Sequence, residues 1–287
     1  MNDQRIISDQ ISFFGKDQLN EKFYCHTIND NLFVPLHKDE PDYESFSKAG
    51  GQELKWKMRS PWSSSAFCYN FFRFWKDNDI YGLCRILFSD IFLADINEFE
   101  TIRCKFESKN YFGNSPERRT NVPGYVDFEI KDGDCGAIIQ IESKFSEEIK
   151  GQNRFARKNT QINRDNTKIY MDLFNTYLDC DPIELINGGP RSKYYQLAQR
   201  LLFMVENTDT EIDEYCDRIA LFLYYDHENF DKSILDFSDI IRPEYQENFM
   251  FMTYQCLFAA MKHSFLYNNR NMAWFDYMGE RYFKEIT

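Results

Sequence analysis

A short apolar run flanked by turn-forming residues constrains this chain more than any other feature. Residues 137–141 read AIIQI, and residues 125–130 read YVDFEI. Both are rich in the β-branched and aromatic residues that favour strands. Between them, residues 131–136 read KDGDCG, which is rich in turn formers. The pattern predicts a β-hairpin with strands at about 125–130 and 137–145.

Polar residues lie at the ends of these two strands. Residues two apart on a strand point to the same face, so Glu142 and Lys144 project together while Ser143 points away. Folding about the turn brings Asp127 opposite residues 140–142, in a register that the turn type decides. Opposed side chains of an antiparallel pair are about 5 Å apart. Asp127 and Glu142 can therefore share one divalent cation.

An Asp before a hairpin turn and a Glu-x-Lys on an apolar strand resemble the PD-(D/E)XK, or restriction-endonuclease-like, nuclease superfamily. The matching residues are Asp127, Glu142 and Lys144, and Tyr125-Val126 stands where the family has a proline. Helical patterns at residues 63–71 and 194–200 also resemble helices of this superfamily. The resemblance implies an α/β fold: a restriction-endonuclease-like core with a mixed central β-sheet flanked by helices.

The resemblance also implies chemistry. Asp127, Glu142 and Lys144 would be the catalytic residues of a metal-dependent DNA endonuclease of the restriction or anti-phage defence type. Asp127, Glu142 and the backbone carbonyl of Ser143 would bind Mg²⁺ or Mn²⁺. Lys144 would stabilise the attacking hydroxide or the charge on the phosphate.

Members of this superfamily often supply a further acid from an early helix or strand. Glu98, Glu100 and Glu107 are the candidates here. The strand-like pattern of residues 101–107 favours Glu107 as the additional metal ligand.

The net charge of −12 opposes binding to nucleic acid, where affinity comes from Lys and Arg. The charge is unevenly distributed, because residues 150–168 carry a local net charge of +5. Within this segment, Arg154, Arg157 and Lys158 are predicted to contact phosphates; the alternative is a solvated charged surface.

Gln196 and Arg200 lie four apart on one helical face. They would orient substrate or water, or only keep the helix soluble.

Sequence motifs exclude several other classes. The chain has no C-x-x-C pair, P-loop or Gly-x-Ser-x-Gly, so a structural zinc site, nucleotide triphosphate binding and a hydrolase triad lack support. No apolar run reaches the roughly 20 residues that span a bilayer. The first residues lack the pattern of a signal peptide. We expect a cytoplasmic protein that does not bind membranes.

The predicted organisation has two parts. Residues 1–58 are polar and irregular and form an extension packed on the core, and residues 59–287 form the nuclease-like domain with a helical C-terminal part. A buried strand is predicted at residues 219–225. The predicted helices are residues 63–76, 80–98, 167–178, 192–206, one long helix at 245–266, and 271–284.

Two other functions stay open. A catalytically inactive nuclease fold could serve as a binding or assembly protein, with the acidic region 206–247 (net charge −10) as a surface for a partner protein. RNA cleavage would use the same metal chemistry as DNA cleavage. A homodimer is also an expectation, because cutting both strands of a duplex needs two active sites.

Overall fold

A mixed β-sheet forms the centre of the protein. The computed structural model describes residues 4–49, 53–88, 102–110, 124–132, 136–146, 161–186, 191–206 and 217–286. Within these ranges five strands pair in chain order: β1 Ile102–Asn110, β2 Gly124–Asp132, β3 Ala137–Lys144, β4 Asp217–Tyr224 and β5 Phe249–Thr253. The pairs β1–β2 and β2–β3 are antiparallel, whereas β3–β4 and β4–β5 are parallel. The predicted α/β fold with a mixed sheet is confirmed, as is the hairpin of β2 and β3.

Helices cover both faces of this sheet. In the described ranges they are α1 Gln4–Phe14, α2 Pro41–Lys48, α3 Ser64–Asn78, α4 Ile80–Phe88, α5 Gln161–Tyr177, α6 Pro182–Ile186, α7 Tyr195–Val205, α8 Tyr254–Lys262 and α9 Met272–Tyr282. None of these helices combines the length and apolarity needed to cross a bilayer.

Alternation along β4 explains how the sheet is covered. Ile219, Leu221 and Leu223 pack in one cluster with α3, α8 and α9, while Ala220, Phe222 and Tyr224 pack in a second cluster with α5 and α7. Successive side chains of a strand point to opposite faces, so a strand that is apolar throughout must lie between two layers. This confirms the buried strand predicted at residues 219–225.

The helix α3 lies directly behind the hairpin. The ring of Phe67 stacks on Phe145 at 4.4 Å, and Phe72 stacks on Phe128 at 4.6 Å. The small side chain at the start of this helix allows close approach, and the Oγ of Ser64 accepts a 3.0 Å hydrogen bond from the backbone N–H of Phe145. These contacts hold the last residues of β3 in place.

The N-terminal segment is more regular than its composition predicts. It contains α1 and α2, so the description of residues 1–58 as irregular is wrong. Ile6 and Phe46 belong to the same apolar cluster as α3 and the sheet. The apolar positions of these short helices are too few to stand out among polar neighbours, and packing against the core stabilises them.

The long helix predicted at residues 245–266 is wrong. Residues 249–253 form β5, which pairs in parallel with β4, and α8 begins only at Tyr254. The run FMFM is apolar throughout, and periodicity cannot separate a buried helical turn from a buried strand over so few residues. The helix predicted at 80–98 is observed as α4 up to Phe88, and its remaining residues lie outside the described ranges.

Candidate active site

Carboxylates occupy adjacent positions on three neighbouring strands. Asp127 of β2 and Glu142 of β3 lie opposite each other when the β2–β3 register is continued one residue beyond its last pair. Glu107 of β1 lies opposite Asp127, between two paired positions. The side chains of Glu107 and Glu142 are buried, and that of Asp127 is partly exposed. We call these three residues the carboxylate row.

The β2–β3 ladder opens at the carboxylate row. Its last described pair joins Phe128 to Ile141, and beyond it the Oδ2 of Asp127 accepts a 2.7 Å hydrogen bond from the backbone N–H of Ser143. The N–H and C=O of one strand residue point toward the same neighbouring strand. The carbonyl of Ser143 therefore also faces the side on which Asp127 lies.

Glu142 is held by residues from β3 and α7. Its Oε1 lies 2.7 Å from the Nζ of Lys144 and accepts a 2.7 Å hydrogen bond from the Nε2 of Gln196. Its Oε2 accepts a 2.5 Å hydrogen bond from the Nε of Arg200. The prediction that Glu142 and Lys144 project together is confirmed. Gln196 and Arg200 do share one face of α7, and that face meets Glu142; whether they contact nucleic acid stays a prediction.

The local electrostatics shift the pKa values of the three acids in different directions. Burial alone would raise the pKa of Glu142, but Arg200 and Lys144 outweigh it and hold this pKa below its ordinary value. Burial and then the charge of Glu142 raise the pKa of Asp127. Burial and then Asp127 raise the pKa of Glu107. Glu142 is therefore ionised. Ionising Asp127 or Glu107 is unfavourable, because each carboxyl is buried beside another negative charge.

Glu107 also has an unusual backbone. Its φ of 49° lies in the left-handed region, which non-glycine residues rarely adopt and which costs of order 1–3 kcal/mol. The left-handed conformation of Glu107 interrupts the alternation of side-chain directions along β1. Phe106 packs on Phe128 at 4.6 Å, and the Oγ of Ser108 donates a 2.9 Å hydrogen bond to Glu129. Strain of this kind tends to occur at functional sites.

A fourth acid, Glu53, lies near the row, and the sequence analysis missed it. Its side chain is buried, with Oε1 at 2.7 Å from the Nζ of Lys57 and Oε2 accepting a 2.8 Å hydrogen bond from Ser65. The charge of Glu53 raises the pKa of Glu107. It lies in an irregular segment far from the hairpin in the chain, so no local pattern marks it.

A buried polar group behind the row was also missed. On the α3 face of β3, the hydroxyl oxygens of Ser143 and Tyr254 lie 2.7 Å apart, and both side chains are fully buried. Cys68 of α3 adjoins them, and burial raises the pKa of its thiol well above the ordinary value. This group anchors the strand position whose N–H reaches Asp127.

We expect Tyr254→Phe to lower the free energy of unfolding by about 1–2 kcal/mol, because it leaves a buried hydroxyl without its partner. Ser143→Ala keeps the N–H and C=O that face Asp127. In a double-mutant cycle measured by urea unfolding, the two changes should couple by about 1 kcal/mol. The exposed Tyr267→Phe is the control, and additive effects of the two buried changes would contradict the pairing.

The residues present suit a hard divalent cation. Two carboxylates and one backbone carbonyl form an oxygen-only donor set of the kind that Mg²⁺ and Mn²⁺ prefer. Burial and then neighbouring carboxylates raise the pKa of Asp127 and Glu107, and a bound cation would favour their ionised forms. In the described part of the chain, no three His, Cys, Asp or Glu side chains already converge on one point. Glu142 is turned toward Arg200 and Lys144.

The remaining predicted site residues cannot be placed. Arg154, Arg157 and Lys158 lie outside the described residues, as do Glu98 and Glu100.

Comparisons with known proteins agree with this architecture. A family model described as "Restriction Endonuclease associating with ARP" (REase-ARP) matches residues 10–283. Comparison with curated proteins gave no match, and comparison with solved structures also gave none. The match spans nearly the whole chain, including the carboxylate row, α7 and the C-terminal helices. The protein therefore belongs to the REase-ARP family of restriction endonucleases.

Proposed function

We propose that the protein is a metal-dependent nuclease that hydrolyses phosphodiester bonds with a site of the PD-(D/E)XK type. One observation carries the proposal. Asp127 accepts a 2.7 Å hydrogen bond from the backbone N–H of Ser143, the residue after Glu142, and the Nζ of Lys144 lies 2.7 Å from Glu142. Two carboxylates and one ammonium group are thereby held close together near the end of β3. Membership of a restriction endonuclease family supports the same chemistry.

In this proposal Asp127, Glu142 and the carbonyl of Ser143 hold Mg²⁺ or Mn²⁺. When bound, the ion lowers the pKa of its water and polarises a phosphoryl oxygen. Glu107 adds a third carboxylate from β1, and its left-handed backbone keeps it in the row.

Lys144 supplies positive charge at the reacting centre. Its ammonium group stabilises the negative charge that develops on the phosphate and on the attacking oxygen. Arg200 and Gln196 act through Glu142: they hold its two oxygens and keep it ionised, so they are positioning residues.

DNA is the proposed substrate, and RNA is the alternative with the same chemistry. The acidic chain needs a local cationic surface to bind either polymer. Residues 150–168 follow Lys144 closely and carry a net charge of +5. Arg154, Arg157 and Lys158 are the proposed phosphate contacts.

A cleavage assay tests the proposal. The protein is incubated with supercoiled plasmid, linear duplex, single-stranded DNA and RNA, each with Mg²⁺, with Mn²⁺ and with a chelator. We expect cleavage that requires the ion and that Asp127→Asn abolishes. Cutting of plasmid identifies an endonuclease. If no substrate is cut under any condition, or if the chelator leaves cutting intact, the proposed activity is wrong.

One observation favours a second candidate, a catalytically inactive nuclease fold that docks a partner. Both oxygens of Glu142 are already occupied by Lys144, Arg200 and Gln196. In that case the acidic region 206–247 would be the binding surface for a partner protein or for a second copy of the chain. The family description names an association with ARP, which is compatible with a docking role.

Metal binding separates the two candidates. For the nuclease, we expect Mn²⁺ to stabilise the fold by about 2–3 kcal/mol when the free ion is 100 times its dissociation constant. Asp127→Asn should remove this effect, and the exposed Asp172→Asn is the matched control. An inactive scaffold should show no shift in melting temperature that depends on Asp127.

The same variant makes a prediction about pH. The pKa of Asp127 is raised in the folded state, so the folded state binds more protons than the unfolded state above the ordinary carboxyl pKa near 4. The contribution of Asp127 to stability is therefore lost as pH rises from about 4 toward neutrality. In chelator, Asp127→Asn should become more stable relative to wild type over that range, as measured by urea unfolding. A difference that does not change with pH would contradict the crowded-charge description of the row.

A further inference from the structure

A tryptophan flanked by lysines protrudes from the segment before α3. Residues 54–59 read LKWKMR, with three cations and no acid. The side chain of Trp56 is 50% exposed, whereas Trp75 and Trp274 are fully buried. A half-exposed indole among cations places an aromatic ring and positive charge on one surface, where they are open to a ligand.

The backbone under Trp56 is firmly held. Met58 is fully buried, and its N–H donates to the carbonyl of Glu53 at 2.9 Å while its carbonyl accepts from Asn31 at 2.9 Å. The N–H of Arg59 donates to the carbonyl of Trp56 at 3.2 Å. The indole is therefore presented from a fixed support, and binding to it costs little conformational entropy.

This segment lies beside the carboxylate row. Lys57 pairs with the buried Glu53 at 2.7 Å, and the charges of Glu53 and Lys57 both act on the pKa of Glu107. Just upstream, the carbonyl of Lys48 accepts a 2.9 Å hydrogen bond from Tyr125, two residues before Asp127. The hydrogen bond from Tyr125 to Lys48 and the stacking of Phe46 on Phe106 at 5.7 Å place the chain just before this segment next to β1 and β2 at the row.

We propose that Trp56 stacks on an unpaired base of the nucleic acid strand that enters the carboxylate row, with the exposed Lys55 along its phosphates. The inference rests on the proposed nuclease function and specifies its substrate. An indole face offers stacking to any base, and the neighbouring ammonium group of Lys55 suits an adjacent phosphate. A base inside a duplex is stacked on its neighbours, so the proposed substrate is a strand with an accessible base. DNA and RNA both supply such bases.

Binding measurements test the inference. Fluorescent 20-residue single-stranded DNA, RNA and blunt duplex DNA are titrated in chelator, which prevents the proposed cleavage. Trp56→Ala should weaken binding of the preferred single strand by about tenfold, while Trp56→Phe should retain most of the affinity. Phe265→Ala is the matched control, because Phe265 is an aromatic residue that is 51% exposed and lies beside Arg85 of α4. Whichever of DNA and RNA binds more tightly is the nucleic acid that supplies the stacked base.

Strands with one abasic site sharpen the test. If Trp56 stacks on one base, an abasic site at a single position should weaken binding of wild type and not weaken binding of Trp56→Ala further. Wild-type binding and cutting with an unchanged Trp56→Ala affinity would overturn the inference and leave the nuclease intact. Wild-type binding without cutting would overturn the nuclease alone, and the variants would still decide the stacking. Absence of binding to every polymer would overturn both.

Discussion

Lys144→Ala should reduce the rate of phosphodiester cleavage by about 100- to 1000-fold, the loss expected when one group that stabilises transition-state charge is removed. In the proposed site the ammonium group comes from Lys144, whose Nζ lies 2.7 Å from the Oε1 of Glu142. Its removal leaves Glu142 bonded to Arg200 and Gln196, so we expect the fold to persist. Initial cleavage rates at saturating Mg²⁺ or Mn²⁺ measure the effect.

The control for this change is Lys105→Ala, which removes an exposed lysine from β1 of the same sheet. Circular dichroism and urea unfolding should show that both variants remain folded. The Mn²⁺-dependent stabilisation should survive in Lys144→Ala, because the oxygen ligands are intact. A folded Lys144→Ala protein that cuts at the wild-type rate would remove Lys144 from the mechanism.

Arg281→Met should lower the free energy of unfolding by about 3–5 kcal/mol, because it leaves several buried acceptors without a donor. Arg281 of α9 is 2% exposed. Its guanidinium donates to the Oε1 of Gln10 at 2.8 Å, to the carbonyl of Asn31 at 2.8 Å and to the carbonyl of Pro61 at 3.3 Å. One side chain therefore joins α1, the loop at residue 31 and the start of α3 to the C-terminal helix.

Urea unfolding and limited proteolysis measure this effect. The exposed Arg270→Met is the control, since it changes the same residue type on the surface. We expect Arg281→Met to expose the N-terminal segment to protease before the sheet unfolds, because Gln10 and Asn31 depend on this contact. A loss of less than about 1 kcal/mol would mean that water or other donors replace the guanidinium.

Local patterns were sufficient to predict the hairpin and the buried strand β4. The β2–β3 pair, the buried strand β4 and the shared face of Glu142 and Lys144 follow from strand periodicity and turn composition, which act over a few residues. The spacing of Gln196 and Arg200 likewise placed them on one helical face. The strand β5 was missed because so few apolar residues carry no usable period.

Glu53 and Tyr254 show what such patterns cannot predict. Glu53 comes close to the carboxylate row from 54 positions before Glu107, and Tyr254 reaches Ser143 from the far end of the chain. Neither residue has a neighbour in sequence that marks its role. Their positions depend on how α3 and α8 pack against the sheet.

The sequence alone determined that β2 and β3 form a hairpin bearing Asp127, Glu142 and Lys144, since strand period and turn residues are properties of adjacent positions. Only the tertiary structure decided that Glu107 lies in the row with a left-handed backbone and that Arg200 of α7 binds Glu142. It also decided that the N-terminal segment lies beside the site. Those arrangements arise from long-range packing and burial. Both depend on residues that meet only when the whole chain has folded.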